Sequence, residues 1–301
     1  MLNIRRFVKC TEEYERVVAL HNAVWADHPV SLGDWKHFEQ SAPDGTLYCE
    51  TLAERDGELV GHIFYCQPWW WSEAESRIFF EILVHPDHQR DGIGSALYRA
   101  MRQALRGHPL RTLHTKSRED QAGALAFLRG LGFEQTMRYA RSQLRLADVD
   151  LDRFAPLWRR LEQEGVRLTT MAELQRDDPD WKRKLHDLRG EISRDVPSPE
   201  ARKLQSFEQF EQLFLKHPEL LPEANFVAVE GTRYVGYSNL WSGPDAARLD
   251  TGLSGVVRSH RRRGICTALK AKGFAFAAAR GVAAIDTDNE ENNPMYELNL
   301  K

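Results

Sequence analysis

The chain has 301 residues, 42% of them hydrophobic and 28% charged, which is apolar material for about two domains and excludes wholesale disorder. Lys and Arg number 41 against 44 Asp and Glu, a net charge of -3, so the basic excess of a general nucleic-acid binder is missing. The most apolar run, Phe274 to Ile285, contains Arg280 and is too short for a membrane span, and Met1 to Glu15 has no apolar signal core. Cys10, Cys49, Cys66 and Cys266 stand apart with no C-x-x-C pair, which points to a reducing, cytoplasmic setting without disulfides. His85 and His88 lack a companion ligand cluster, so no metal site is expected. Neither a nucleic-acid nor a membrane partner is expected, and no motif signals an oligomeric state.

Taken in chain order, the first half alternates strands and helices. Leu2 to Val8 is a strand and Thr11 to Trp25 a helix, with Tyr14, Val17, Val18, His21 and Val24 at helical spacing. Ser31 to Gln40 is a second helix. Leu47 to Glu54 and Leu59 to Gln67 read as a hairpin turned at Asp56-Gly57. Arg77 to Val84 is a strongly apolar strand, and Gly92 to Arg106 a helix with Ile93, Leu97, Met101 and Leu105 on one stripe. Arg111 to Lys116 is a short strand, Glu119 to Leu131 a helix closed by Gly132, and Glu134 to Leu146 supplies the last strands of this half. Ala147 to Gly165 is a charged linker, helical around Trp158 and Leu161. The second half repeats the plan. It runs strand Val166–Thr170, helices Asp180–Ile192 and Ser206–Lys216, hairpin Asn225–Val229 with Tyr234–Trp241, strand Leu249–Val257, helix Gly264–Arg280, strand Ala283–Asp288, and a helix from Asn292.

One segment occurs twice. Ile82 to Leu97 and Ser254 to Leu269 each run apolar strand, polar loop with His and Arg, Gly-Ile-small, then amphipathic helix. Gly92 and Gly264 lie about 172 residues apart, close to a domain length. The reading is a duplicated α/β domain with a mixed sheet: residues 1–146, linker 147–165, and residues 166–301. In both loops the glycine opens a helix whose first N–H groups lack intrahelical partners and suit an anion. The loops match neither the P-loop nor the dinucleotide fingerprint.

Val84-x-Pro86-x-x-Gln89-Arg90-x-Gly92-x-Gly94 resembles the acetyl-CoA signature of the GNAT superfamily of N-acetyltransferases. The corner Phe127 to Phe133, ending Leu-Gly-Phe, and the second copy's Arg261-x-x-Gly264-x-Cys266 and Asn292-x-x-Met295 are similar to the same family's pattern. The tandem arrangement is similar to that of the mycothiol synthases. The resemblance implies two GNAT-like, acetyl-CoA-binding domains and transfer of an acetyl group to the amine of a small molecule. It implies that Gln89, Arg90, Asp91, Gly92, Ile93, Gly94 and Ser95 hold the cofactor pyrophosphate, as do Arg261, Arg262, Arg263, Gly264, Ile265, Cys266 and Thr267. Ile82, Leu83 and Val84, and Ser254 to Val256, would pair with the pantetheine arm. Asn292 would contact that arm, with Gln121 as its first-copy counterpart.

Glu81 interrupts Ile78 to Val84 and is the candidate general base, with a structural ion pair or a solvent-facing position at a sheet gap as the alternatives. The second copy has Leu253 at the matching position, with Asp250 and Thr251 the nearest polar residues. The family's acidic tyrosine is absent: Leu128 and Asn299 stand at its two positions, and Tyr98 and Tyr296 are off register. This leaves a second reading, an acyl-CoA-binding protein without catalysis, or an enzyme with one active copy. Trp69-Trp70-Trp71 either walls a substrate pocket or packs against the domain interface, the latter expected for at least two of the three rings. Arg258 to Arg263 is read as attraction for cofactor phosphates, with a solvated loop as the alternative. Acceptor specificity is expected in Trp25–Gln40 and Asp195–Phe214. The second copy ends at the counterpart of Gly130, so its closing strands are unaccounted for: either the chain continues, or the sheet is completed some other way.

Overall fold

The computed structural model describes residues 1–300. The elements of the first copy are β1 (Leu2–Arg6), α1 (Thr11–Val24), α2 (Leu32–Gln40), β2 (Tyr48–Arg55), β3 (Glu58–Cys66), β4 (Arg77–Val84), α3 (Ile93–Ala104), β5 (Thr112–His114) and α4 (Ala122–Gly130). After β6 (Tyr139–Arg145) come α5 (Ala155–Gln163), β7 (Val166–Thr170), α6 (Met171–Asp177), α7 (Trp181–Ser193), α8 (Phe207–Phe210), β8 (Leu220–Glu230), β9 (Arg233–Trp241), β10 (Arg248–Val256), α9 (Ile265–Ala279), β11 (Ala284–Glu290) and α10 (Pro294–Asn299). The chain divides into two compact units. One is Met1–Thr136 with Glu200–Lys203, and the other runs from Met137, apart from that short segment.

In the first unit the sheet order is β1-β2-β3-β4-β5. Strand alternation sorts its side chains onto two faces. Ile63, Tyr65, Ile78 and Phe80 meet Ile93, Leu97 and Met101 of α3 in one core. Leu52, Phe64, Cys66 and Leu83 meet Tyr14, Val17 and Leu20 of α1 and Trp35 of α2 in the other. Helix and sheet approach closely at Gly61, where a Cβ would lie 2.7 Å from Ile93 Cγ2. The second unit repeats that contact: a Cβ on Gly236 would lie 2.8 Å from Ile265 Cγ2.

The second sheet has the order β6-β11-β10-β9-β8-β7. Its outer strand corrects the expectation that Glu134 to Leu146 closes the first sheet. β6 pairs antiparallel with β11 from Tyr139↔Glu290 to Arg145↔Ala284. Two features favour this partner. β5 offers only Thr112–His114 as an edge, whereas β11 offers a ladder as long as β6. The buried Asp286 carboxylate also accepts from Gln143 Nε2 at 2.9 Å and pairs with Arg141 at 3.2 Å. The strand missing from the second copy is thus supplied from between the two repeats. The linker is helical as expected: α5 seats Leu161 in the core, and Trp158 Nε1 donates to the carbonyl of Ala268 at 3.1 Å.

Candidate active site

β4 pairs with β5 only over Arg77–Phe79. Beyond that point its backbone is open on one edge through Phe80 to Val84, while the other edge stays bonded to β3. The open edge therefore presents unpaired N–H and C=O groups beside the start of α3. In the second unit β10 pairs with β11 only over Arg248–Asp250, which leaves an opening beyond it, but the Val256 carbonyl there accepts from Arg261 Nε at 3.1 Å.

The loops that follow share one backbone conformation. Arg90 and Gly92 have φ of 70° and 77°, and Arg262 and Gly264 have 63° and 80°. Alternating left-handed residues turn successive N–H groups toward one side, the geometry of an anion nest. Neither α3 nor α9 has a side-chain cap at its glycine. The first helical N–H bonded to the glycine carbonyl is that of Ala96 in one copy and Ala268 in the other. The N–H groups of Ile93, Gly94 and Ser95, and of Ile265, Cys266 and Thr267, are thus left for a ligand.

Around this shared backbone the two loops differ. In the first, Asp91 is held by Arg55 at 2.7 Å, Gln89 is exposed, and the Arg90 guanidinium reaches toward Gly123 at the start of α4. In the second, the basic run is largely spent on carboxylates. Arg258 and Arg261 both pair with Asp195, and Arg263 pairs with Glu230 at 2.9 Å and Glu164 at 3.1 Å. Those hydrogen bonds hold the Asp195 carboxyl down at about 2. Arg160 also donates to the Arg263 carbonyl at 2.8 Å.

The helix starts differ as well. Gly94 and Gly123 stand at the first turns of α3 and α4. The same positions of α9 and α10 carry Cys266 and Met295, whose sulfurs lie 3.9 Å apart, and burial pushes the Cys266 thiol up. Asn292 is one residue short of the helix cap, which is Asn293, and its amide is engaged by Glu290 at 2.9 Å.

Glu81 points to the α1 face of the first sheet, where it lies opposite Phe64. It is buried; one carboxylate oxygen lies 3.6 Å from Lys116 Nζ, and Oε1 has no partner. His21 of α1 is its buried neighbour. Burial pushes the imidazole below its usual range, against the opposing pull of the Glu81 charge. His21 also meets the rings of Trp25 and Trp35 at 6.4 and 5.6 Å, and Lys116 lies 5.5 Å from the Trp25 ring. The indole nitrogens of Trp25 and Trp35 are buried without partners. One face thus gathers an unpaired carboxylate oxygen and two unpaired donors, a polar set that an acceptor molecule could satisfy.

The sequence reading missed a second acid–base pair on this face. His62 Nε2 lies 2.7 Å from Glu50 Oε2, both side chains fully buried, and Tyr48 donates to Glu50 at 3.1 Å. Nδ1 of His62 is unpartnered. The available signal was strand parity: Glu50 and His62 fall on the inward face with Leu52, Phe64 and Cys66. The tryptophan run packs internally: Trp69 and Trp71 are buried, and the carbonyl of Trp70 accepts from Lys203 N at 3.0 Å. Tyr98 lies among Phe80, Phe127 and Phe133.

The profile of the acetyltransferase (GNAT) family matches residues 10–133 and again 184–300. The chain belongs to the GNAT acetyltransferase family. It therefore falls among acyl-CoA-dependent acyltransferases, in a tandem form. A tandem GNAT protein from the clavulanic acid biosynthesis pathway superposes with a TM-score of 0.72 at 19% identity, over 100% of this chain and 94% of that one. A GCN5-related N-acetyltransferase from Sphaerobacter thermophilus gives 0.66 at 18% identity, over 97% and 88%. The glucosamine N-acetyltransferase region of a fungal multi-domain β-N-acetylglucosaminidase gives 0.69 at 15%, over 99% of this chain and 36% of that one. At these identities the likeness is one of fold. No curated protein matches by sequence. No helix among the described residues is long and apolar enough to cross a membrane.

Proposed function

We propose that this GNAT protein is an acetyl-CoA-dependent N-acetyltransferase for the amine of a small acceptor, and that its first unit alone does the chemistry. The observation that carries the reading is Glu81: a buried carboxylate with one free oxygen, on the strand whose open edge leads to the nest at Arg90–Ser95. Ile93, Gly94 and Ser95 would bind the pyrophosphate through N–H groups, with Gln89, Arg90, Asp91 and Gly92 forming the loop. Ile82, Leu83 and Val84 would pair with the amide arm. The cofactor supplies an acetyl thioester, whose carbonyl a backbone N–H near Val84 would polarise.

Glu81 Oε1 takes the proton from the acceptor ammonium or amine, directly or through a water. The amine nitrogen forms the new C–N bond as the C–S bond breaks, and the thiolate takes its proton from solvent, since Leu128 stands where the family keeps a tyrosine. Neutral His21 beside Glu81 leaves the carboxylate free to accept. In the second unit Cys266 and Met295 fill the space between the helix starts, and Leu253 replaces Glu81. That favours one active copy over two. Ser254, Val256, Arg261 to Thr267 and Asn292 would then be a remnant of a cofactor site.

The direct test is thiol release from acetyl-CoA across a panel of small amines. Turnover that Gly92→Glu abolishes and Gly264→Glu leaves intact supports the reading. Bound acetyl-CoA with no turnover on any amine would favour the non-catalytic alternative.

A further inference from the structure

The second unit carries a polar site on the face opposite α9 that the acetyltransferase reading does not use. β9 puts Val235, Tyr237, Asn239 and Trp241 on the side where α7 packs, while Gly236 and Leu240 face α9. Asn239 is fully buried, yet neither its Oδ1 nor its Nδ2 has a partner. On α7, Arg189 lies over the Phe214 ring at 3.8 Å and the Tyr237 ring at 4.9 Å. Its Nη1 is also buried without a hydrogen bond, and no ion pair to it occurs among the described residues. Buried polar atoms without partners are rare enough that each calls for an occupant.

The backbone is shaped around these groups. β10 carries a bulge between Thr251 and Ser254, against β9. At Gly252 a Cβ would come within 2.6 Å of Asn239 Oδ1 and 2.8 Å of Nδ2, with the Trp241 indole nitrogen beside them. Glycine there leaves room for both heads. Glu211–Leu215 is a π-helical turn that carries Phe214 to the guanidinium and to Trp241, 5.6 Å from ring to ring. Bulges and π turns are devices that re-aim side chains at sites. Asp250, on the same face, is drawn toward Arg141 at 3.8 Å.

We infer that Arg189, Asn239 and Trp241 form a binding site in the second unit for a small carboxylate that also carries an amide or amine. A planar carboxylate matches the guanidinium fork, and an amide matches the paired donor and acceptor of Asn239. The fully unsatisfied asparagine distinguishes this from a remnant of packing, because leucine would fill the same volume at lower cost.

The test uses the full chain without acyl-CoA. N-acetylglycine, succinate and free α-amino acids are titrated at up to millimolar concentration, read by tryptophan fluorescence and thermal shift, with N-acetylglycinamide as the uncharged control. At least one carboxylate should bind, and the control should not. Arg189→Met and Asn239→Leu should each weaken binding by at least about tenfold, while Glu81→Gln should not change it. Without ligand, Asn239→Leu should melt at the same or a higher temperature. Silence across the panel, binding that survives both substitutions, or a large loss of stability in Asn239→Leu would overturn the assignment. None of these outcomes bears on thiol release by the first unit.

Discussion

Replacing Glu81 by glutamine keeps the side chain's shape and removes its charge. The lost contact is one ion pair at 3.6 Å, to a Lys116 side chain that is 58% exposed. Pairs so exposed contribute about 0–1 kcal/mol. Oε1 has no partner to lose, so Glu81→Gln should fold with unchanged or slightly raised stability. The nest lies on a different loop, so the acetyl-CoA dissociation constant should also be preserved. Catalysis should not be. A positioned general base contributes about 10²–10⁴-fold, equivalent to about 3–5 kcal/mol of barrier. Thiol release at saturating acetyl-CoA and acceptor should fall by that factor, with calorimetry confirming cofactor binding. A variant with near wild-type kcat would refute the role and leave Glu81 as a structural partner of Lys116.

Other consequences are as direct. Gly92→Ala forces a Cβ into φ of 77° with no clash nearby, so it should cost about 1–2 kcal/mol by denaturant titration; no loss would mean the loop relaxes freely. His21 is held neutral by burial, so its folded pKa lies below the unfolded value of 6.5. The unfolded chain then binds more protons as pH falls, and stability present above about 6.5 is lost below it. His21→Gln should therefore show a shallower loss of denaturation midpoint between about pH 7.5 and 5.5 than the wild type. A fragment starting at Met137 should fold, while one starting at Ala147 should not, since it strips β11 of β6 and leaves Asp286 without Arg141 and Gln143. Equal circular dichroism melts for the two fragments would show that β6 is dispensable.

Much of the fold was legible because local signals carried it. The apolar run Arg77–Val84 and the short strand Val166–Thr170 match the structure residue for residue. The duplicated loop marked both helix starts through its glycines, but the left-handed turn at Arg90 and Arg262 carries no such signal. What escaped depended on long-range pairing. Nothing within Tyr139–Arg145 says that its partner is β11, over a hundred residues on; that choice rests on edge length and on Asp286. The Glu50–His62 pair was hidden for the same reason, because inward parity follows from strand register. α6 was missed despite its capping box, Thr170-x-x-Glu173, a signal the sequence does carry. In the second unit, Gly264-x-Cys266 read as a second copy of the loop. Only the 3.9 Å contact with Met295 shows what stands between the helix starts.

The central claim is that one unit holds the cofactor. Calorimetric titration of the full chain with acetyl-CoA tests it most directly, alongside Gly92→Glu and Gly264→Glu. The account predicts one acetyl-CoA per chain, lost in Gly92→Glu and kept in Gly264→Glu. Two molecules per chain, or binding that survives Gly92→Glu and vanishes in Gly264→Glu, would contradict it.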